Sequence, residues 1–242
     1  MKVLVVTDNV YLYESFVEIV KSKKLNYENS FDFRYSWNNR SLSFKSNENI
    51  KSINIKSEYN MIINNYNLVI SLHCKQLFPS ELVNNIRCIN VHPGFNPFNR
   101  GWYPQVFSII NKLPAGVTIH EMDNQLDHGP IIVQQMVHID DWDSSSDVYK
   151  KILNLEVNLI EENISNILDS NYKTTKPISE GNINLKKDFD KMVEIDLNKN
   201  GTYKEMIDFL RAMTFEGYDN AYFNDENGNK IYVQIKLKKE DK

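Results

Sequence analysis

Two polar side chains fall at the end of an apolar strand pattern, in the stretch CINVHPG at residues 88–94. Residues i and i+2 of a strand share one face, so the amide of Asn90 and the imidazole of His92 point the same way. In an open parallel sheet, ligands bind just beyond the carboxyl ends of the strands. Pro93 and Gly94 turn the chain at such an end. We therefore expect Asn90 and His92 to face a ligand.

Two later segments carry further groups that could take part in chemistry. The loop 94–105, GFNPFNRGWYPQ, is rich in turn residues and closes with Trp102 and Tyr103, a composition typical of a substrate wall. Asp127 follows in the turn-forming stretch 123–129, between two predicted strands. An aspartate in a turn indicates by itself only a capping or solvated residue.

The apolar patterns around these segments predict an α/β fold. Short β-rich runs alternate with amphipathic helical patterns, which indicates a mostly parallel sheet whose last strands are antiparallel. The predicted strands cover residues 2–6, 31–35, 52–55, 68–72, 88–91, 116–122 and 131–139. One helix begins after a cap at Asp8 or Asn9, and another follows a cap within residues 144–147. The apolar stripe of the second helix consists of Val148, Ile152, Leu155, Leu159, Ile164 and Ile167.

The composition changes after residue 168, which suggests a small second unit. Residues 169–190 are polar and indicate a connection across the surface, followed by a predicted helix at 203–213. Two predicted strands, 220–223 and 230–237, flank an Asn-Gly turn signal of a β-hairpin. We divide the chain into a catalytic domain at 1–180 and a C-terminal subdomain at 181–242. An isolated hairpin is marginally stable, so this subdomain must pack on the main domain or on another subunit.

The totals exclude several classes of protein. The chain has 242 residues with a net charge of −4, which argues against a general nucleic-acid binder. The only cysteines, Cys74 and Cys88, lie in apolar segments without metal-ligand spacing, and no GxGxxG occurs. We therefore expect no metal and no nicotinamide cofactor. The apolar N-terminal run is too short for a signal peptide or membrane span, which favours a cytoplasmic protein.

Taken together, NVHPG, NRG and LDHGPII resemble the motifs of the folate-dependent formyltransferases. The family motif is Asn-x-His-Pro with a distant Leu-Asp-x-Gly, and its three polar members match Asn90, His92 and Asp127. The resemblance is stronger to the sugar N-formyltransferases that act on dTDP-4-amino-4,6-dideoxyglucose. It extends over residues 73–79, 89–109, 116–132 and 210–233. It implies a Rossmann-like formyltransferase fold, with a small C-terminal helix and β-hairpin.

The resemblance also implies a reaction. A formyl group would pass from 10-formyltetrahydrofolate to the 4-amino group of a dTDP-linked 4-amino-4,6-dideoxy sugar. Asn90 would hold the tetrahedral oxyanion, His92 would act as general base, and Asp127 would orient the imidazole. The product would be a formamido sugar for a cell-surface polysaccharide such as O-antigen.

Contacts to the two ligands are carried over from the same resemblance. The expected folate contacts are Gln76, Leu77, Met122 and Asn124. The expected sugar-nucleotide contacts are Asn9, Lys75, Trp102, Tyr103, Asn220 and Tyr222. Asn9 lies at a helix N-terminus, which suits a phosphate, and an aromatic face such as that of Tyr222 suits a base. The apolar face of the hairpin further implies a homodimer, with no nucleic-acid or membrane partner.

Three rival functions stay open. A formyltransferase for another amine, such as a 3-amino sugar or the 4-epimer, would share the same three polar residues. A non-catalytic binding protein would have no need to keep all three. A hydrolase that releases formate from the folate could use them as well.

Overall fold

The computed structural model describes residues 1–39, 44, 47 and 49–240, and a seven-stranded sheet lies at its centre. The strands are β1 (Lys2–Thr7), β2 (Ser30–Ser36), β3 (Lys51–Ile53), β4 (Leu68–Leu72), β5 (Arg87–His92), β6 (Arg100–Gly101), β7 (Ala115–Glu121), β8 (Ile131–Val137), β9 (Ile183–Asn184), β10 (Ala221–Asn224) and β11 (Lys230–Val233). The helices are α1 (Val10–Ser22), α2 (Ile55–Asn65), α3 (Ser80–Val83), α4 (Pro104–Asn111), α5 (Ser145–Leu168), α6 (Lys186–Asp190) and α7 (Tyr203–Met213), with a 3₁₀ turn at Leu25–Tyr27.

The central sheet has the strand order β3-β2-β1-β4-β5-β7-β8. Strands β1 to β5 are parallel, whereas β7 runs antiparallel to both β5 and β8. The predicted fold class, a mostly parallel α/β sheet that ends in antiparallel strands, is confirmed. Because β1, β4 and β5 are parallel neighbours, their carboxyl ends meet at one edge of the sheet.

Apolar residues cover both faces of this sheet, as a mostly parallel sheet requires. One core cluster joins β1, β4, β5 and β7 to α1, α4, α5 and α7, and the other joins the opposite face to α2 and α3. Asn9 caps α1 through a hydrogen bond that its side chain accepts from Leu12 N, and Ser144 caps α5 in a capping box with Asp147. Both caps agree with the sequence prediction.

Helix α5 departs from its predicted apolar stripe at one position. Leu155 is only partly buried, whereas the neighbouring Glu156 is fully buried between Ile152 and Ile160. Residues four apart lie on one face of a helix, so Glu156 is in register with these two isoleucines. Hydrophobic spacing cannot predict a buried carboxyl, since a core position normally holds an apolar residue.

The polar connection after α5 is more ordered than predicted. Strand β9 pairs in parallel with β6, and α6 follows it directly. The carbonyl of Asn182 accepts from Arg100 N at 3.0 Å, and that of Asn184 accepts from Trp102 N at 2.8 Å. The connection therefore holds the loop that contains the NRG motif, because these backbone groups need partners on that loop.

The C-terminal helix and hairpin pack on the main sheet domain. Ala212 and Met213 of α7, and Ala221 of β10, are buried in the larger core cluster. Strands β10 and β11 form an antiparallel hairpin, and Asp225 accepts from the backbone of Asn229 at its turn. β11 ends at Val233, four residues before the predicted end at 237. Among the described residues, no helix has the length and apolar character needed to cross a bilayer.

Candidate active site

Strand β5 places Asn90 and His92 together at the carboxyl edge of the sheet. It lies between β4 and β7, and Asn90 pairs with Ser71 on one side and with His120 on the other. Both side chains are buried, with His92 only 3% exposed. The period of two puts both polar groups on the same face, while the buried Val91 points into the core. The sequence prediction for this pair of residues agrees with the strand geometry.

The carboxylate of Asp127 meets these two side chains from the loop between β7 and β8. Its Oδ1 accepts from Asn90 Nδ2 at 2.9 Å, and its Oδ2 accepts from Gly101 N at 3.1 Å. Its backbone has a φ of +48°, in the left-handed region that aspartate tolerates better than most residues. The loop thus brings the predicted third residue of the motif to the first two.

Buried side chains hold the Asp127 loop from behind. Asn96 Nδ2 donates to the Asp127 carbonyl at 2.8 Å, and the buried Arg100 donates from Nη1 to the Leu126 carbonyl at 3.3 Å. Arg100 Nε has no hydrogen-bond partner within the described part of the chain. The NRG motif therefore places a cation behind the carboxylate loop.

The imidazole of His92 is held on one side and free on the other. Its Nδ1 lies 3.5 Å from Asp127 Oδ2, while its buried Nε2 has no hydrogen-bond partner among the described residues. Burial lowers the pKa of His92 from its ordinary value, and the nearby Asp127 carboxylate opposes this only in part. His92 is therefore neutral at pH 7. With the Nδ1 hydrogen directed at Asp127, Nε2 carries the lone pair of a base.

Gly94 leaves the space that the His92 ring occupies. A Cβ at position 94 would lie 2.3 Å from His92 Nε2, a distance that no side chain can tolerate. The glycine after Asn-x-His-Pro is thus required by the close approach of the backbone to the ring.

A second histidine, His120 on β7, completes the hydrogen bonding of Asn90. Its Nδ1 donates to the Glu121 carbonyl at 2.7 Å, so its Nε2 accepts from Asn90 Nδ2 at 3.3 Å. The two amide hydrogens of Asn90 therefore go to Asp127 and His120. The longer bond to His120 is the weaker of the two, and a developing oxyanion can replace it. His120 was missed in the sequence because only the β5–β7 register brings it to Asn90.

A cavity of about 590 Å³ opens in front of these groups, and we call it the active-site cavity. Asn90, His92 and Asp127 line it at the sheet edge. Six of the other predicted site residues also line it: Lys75, Gln76, Leu77, Trp102, Tyr103 and Asn220. The structure thus gathers segments that are far apart in the chain around one opening.

Four predicted contact residues do not line the active-site cavity. Asn9 uses its side chain to cap α1 and to donate to Tyr149 Oη at 3.0 Å, so it reaches the cavity only through that tyrosine. Tyr222 lies on the hairpin, where Lys230 Nζ sits 3.9 Å from its ring centroid and its hydroxyl donates to Glu194. Its ring is therefore engaged away from the cavity.

The two predicted folate contacts from the β7–β8 loop lie outside the lining as well. Met122 donates its backbone N–H to the Cys88 carbonyl at 2.8 Å and packs its side chain against the smaller core cluster. Asn124 is exposed in the turn beyond it. The Met122 N–H already has a partner in the sheet, which leaves it no hydrogen for a ligand in this conformation.

Several cavity residues were not predicted from the sequence. Tyr149 comes from α5, His73 follows β4, Phe189 belongs to α6, and Phe215 and Tyr218 follow α7. They come from four separate segments of the chain, and none belongs to a motif with fixed spacing. Only the tertiary packing of α5, α6 and α7 against the sheet edge brings them together.

The described residues contain no cluster of three or more side chains suited to hold a metal ion. Burial raises the pKa of both cysteine thiols, Cys74 and Cys88, to about 12. Neither thiol is a ready nucleophile, since the thiolate is the reactive form.

Comparisons with known proteins agree with this arrangement. Residues 15–164 match the sequence profile described as "Formyl transferase", and residues 188–239 match "N-formyltransferase dimerization C-terminal domain". A curated protein of Mycobacterium tuberculosis, dTDP-4-amino-4,6-dideoxyglucose formyltransferase, is 50% identical over 179 residues, which is 74% of this chain and 76% of that protein.

Solved structures show the same similarity over the whole chain. A sugar N-formyltransferase from a Shewanella species is 41% identical with a TM-score of 0.96, covering 100% of this chain and 99% of that one. A 4-N formyltransferase from Francisella tularensis is 47% identical with a TM-score of 0.93, covering 98% of each chain. The motif resemblance inferred from the sequence, including its sugar-directed branch, is confirmed by these matches.

Proposed function

The chain belongs to the formyl transferase family, and from this premise we propose that it formylates an amino sugar attached to a nucleotide. The formyl group passes from 10-formyltetrahydrofolate to the 4-amino group of a dTDP-linked 4-amino-4,6-dideoxy sugar. The observation that carries the proposal is the convergence of Asn90, His92 and Asp127 at one opening. The 50% identity to a dTDP-4-amino-4,6-dideoxyglucose formyltransferase supports the choice of sugar.

The catalytic step needs one acceptor for a proton and one donor for an oxyanion. The sugar amine attacks the formyl carbon, a carbon–nitrogen bond forms, and the formyl oxygen becomes an oxyanion. Asn90 Nδ2 donates to that oxygen in place of its 3.3 Å bond to His120. His92 Nε2 takes the proton that the amine loses.

Collapse of this intermediate completes the transfer. The bond between the formyl carbon and the folate nitrogen breaks, and that nitrogen takes up a proton as tetrahydrofolate leaves. The Asp127 carboxylate lies opposite His92 Nδ1, so it stabilises the imidazolium that exists between the two proton transfers. No covalent enzyme intermediate is needed.

The folate side of the cavity is formed by the segment after β4. Leu77 is 75% exposed there and gives an apolar wall for a flat ring. The Gln76 side chain is already bonded to the backbone of Ile53 and Ile55, at 3.0 Å each, so its role is to fix this wall. We propose that the donor lies against Leu77, with Met122 and Asn124 forming the outer rim beyond the cavity lining.

The nucleotide side of the cavity is formed by the C-terminal subdomain. Phe215 and Tyr218 pack edge to face with ring centroids 5.6 Å apart, and Asn220 lies beside them in the lining. Aromatic faces and an amide suit a pyrimidine base. Lys75 supplies a cation for the diphosphate, and Trp102 and Tyr103 border the hexose. Tyr222, outside the lining, supports the hairpin that carries this wall.

The domain division at residues 180 and 181, and a homodimer, belong to the same proposal. Exposed apolar side chains are found on α7 and on β11: Tyr203, Met206, Ile207, Ile231 and Tyr232, of which Tyr203 is 92% exposed. Such a surface is typical of an interface between subunits, and the C-terminal profile match is to a dimerization domain. A cytoplasmic location and a polysaccharide such as O-antigen as the destination of the product fit these substrates.

Formyl transfer tests the proposal directly. Purified protein is incubated with 10-formyltetrahydrofolate and dTDP-4-amino-4,6-dideoxyglucose, with tetrahydrofolate release followed by absorbance and the product by mass. Transfer to this sugar, and slower transfer to the 4-epimer and the 3-amino isomer, is the expected result.

The other outcomes separate the rivals. Faster transfer to the 3-amino isomer or the 4-epimer would keep the mechanism and replace the substrate. Formate release without any sugar would indicate the hydrolase. Absence of turnover with every amine would contradict the proposed enzyme and favour a binding protein.

A further inference from the structure

A chain of polar side chains leads from the wall of the active-site cavity into the core. Tyr149 Oη accepts from Asn9 Nδ2 at 3.0 Å and lies 3.3 Å from His73 Nδ1. His73 Nε2 lies 2.7 Å from Glu156 Oε1. Tyr149 and His73 line the cavity, whereas the Glu156 side chain is fully buried. None of these four groups takes part in the proton transfers described above.

Burying the carboxyl group of Glu156 costs free energy of folding. It occupies the buried face of α5, and its second oxygen, Oε2, has no partner within the described part of the chain. A buried ion pair rarely stabilises a fold more than apolar residues of the same volume would. The backbone of His73 is also unusual, with a φ of +57° directly after β4. Such backbone strain is characteristic of functional sites, and here it turns the imidazole toward Glu156.

The protonation of this pair follows from its burial. Burial raises the pKa of Glu156, and His73 opposes that shift only in part. A buried pair with no net charge is favoured over one with a net negative charge. The neutral pair holds two hydrogens, one between Glu156 Oε1 and His73 Nε2 and the other on His73 Nδ1. That second hydrogen is donated to Tyr149 Oη.

The hydroxyl hydrogen of Tyr149 is then left without an acceptor among these side chains. A phenol oxygen has one hydrogen to donate and two lone pairs to accept with. Asn9 and His73 fill both lone pairs, so the hydroxyl hydrogen is left for a group inside the cavity. The inner side chains thus convert Tyr149 from a hydroxyl that could accept or donate into a committed donor.

The place of Tyr149 in the cavity indicates which part of a sugar nucleotide it meets. Its ring packs against Phe215 on the proposed nucleotide wall, with centroids 5.6 Å apart. On its other side is His73, which follows Leu72, the partner of Val91 in the sheet, and so lies beside His92. Tyr149 therefore lies between the proposed nucleotide wall and His92, the stretch that a diphosphate joining the nucleoside to the sugar would cross.

We propose that Tyr149 donates a hydrogen bond to a phosphate oxygen of the sugar nucleotide, with His73 and Glu156 as positioning residues behind it. This inference rests on the proposed function and names a contact within the same cavity. Lys75, exposed two residues after His73 and also in the lining, would share the same anionic group. A hydrogen bond to a charged oxygen is stronger than one between neutral groups, so its loss should be measurable.

Tyr149→Phe removes only the hydroxyl. Because one hydrogen bond to a charged group is lost, we expect KM for the dTDP-sugar to rise about tenfold while kcat and KM for the folate stay within about twofold. Calorimetric binding of dTDP should weaken by the same factor of about ten, whereas thymidine, which lacks phosphates, should bind as it does to the unaltered protein. Tyr11→Phe is the matched control, since Tyr11 Oη bonds Asn154 on α5 outside the cavity lining.

Glu156→Gln tests the positioning chain. Glutamine keeps the shape but carries no charge. When its amide oxygen accepts from His73 Nε2–H, Nδ1 is left with a lone pair and takes the Tyr149 hydrogen instead. We expect dTDP affinity to fall toward that of Tyr149→Phe with thymidine affinity unchanged. Nitrogen-15 shifts of the His73 imidazole should report the loss of the Nδ1 hydrogen.

Three results would overturn this inference. The first is unaltered dTDP affinity in Tyr149→Phe, and the second is an equal loss of dTDP and thymidine affinity. The third is unaltered dTDP affinity in Glu156→Gln when the His73 signal has changed. Since dTDP binding needs no turnover, a protein that transfers formyl groups but shows any of these refutes only the tyrosine contact. A protein that neither transfers a formyl group nor binds dTDP refutes the proposed function together with it.

Discussion

Two histidine–carboxylate pairs face the same cavity, and they differ in how tightly the imidazole is held. His73 Nε2 lies 2.7 Å from Glu156, and its Nδ1 also has a partner in Tyr149. His92 Nδ1 lies 3.5 Å from Asp127, and its Nε2 has none among the described residues. An imidazole with both nitrogens engaged can orient a neighbour, whereas one with a free nitrogen can exchange a proton. The comparison assigns positioning to His73 and catalysis to His92.

Replacing His92, the more loosely held of the two histidines, should have the largest effect on kcat. His92→Asn keeps a polar group at the strand end but supplies no base, so kcat should fall about a thousandfold. The melting temperature should change little, because His92 makes few hydrogen bonds. Steady-state kinetics and thermal melts measure both quantities, and a kcat within tenfold of the unaltered protein would show that the base lies elsewhere.

Removing the charge beside His92 should have the next largest effect. Asp127→Asn keeps the volume but no longer stabilises the imidazolium, so kcat should fall about a hundredfold. KM for both substrates should change far less, since the loop remains held by Asn96 and Arg100. Equal losses in kcat and in both affinities, measured in the same assay, would instead indicate a collapsed loop.

A smaller loss of kcat is expected when the His92 imidazole is displaced but kept. In Gly94→Ala, the added carbon would lie 2.3 Å from His92 Nε2, so the ring must move. We expect kcat to fall about tenfold or more, because a misplacement of about 1 Å can cost that much. Gly201→Ala is the control, since its nearest contact would be the end of the Glu205 side chain at 3.4 Å. Unchanged kcat in Gly94→Ala would show that the ring position is not critical.

The smallest effect concerns the pH dependence of kcat/KM. Burial lowers the pKa of His92 below 6.5, so the base stays deprotonated at neutral pH and rate should be lost only as pH falls below 6.5. Asp127 opposes this lowering, so in Asp127→Asn the fall should move to still lower pH. Arg100 and His73 act on His92 in the other direction, toward a lower pKa. If kcat/KM already begins to fall above pH 7, the pKa of His92 is not lowered and the prediction is wrong.

The two pairs also differ in how far the sequence could predict them. Asn90 and His92 follow from strand periodicity and from the turn at Pro93, which are local properties. Asp127 could be joined to them only through the family motif, because a turn aspartate carries no local signal of its partner. The alternation of strands and helices could also be predicted, because short β-rich runs are a local property of the sequence.

The His73–Glu156 pair could not be predicted from the sequence in the same way. Glu156 lies in a helix whose hydrophobic pattern favours Leu155 as the core residue, yet the helix is rotated so that the carboxyl is buried. His73 reaches it only because the chain adopts a positive φ after β4. The contacts depend on helix rotation and backbone conformation, which residue spacing does not determine.

The measurement that tests this account most directly compares His92→Asn with His73→Asn in one formyl-transfer assay. We expect His92→Asn to lose kcat with KM for the dTDP-sugar nearly unchanged. His73→Asn should show the opposite pattern, with KM raised and kcat within a few-fold of the unaltered protein. If His73→Asn loses kcat as severely as His92→Asn while KM stays constant, the tight pair belongs to the proton transfer and the assignment is wrong.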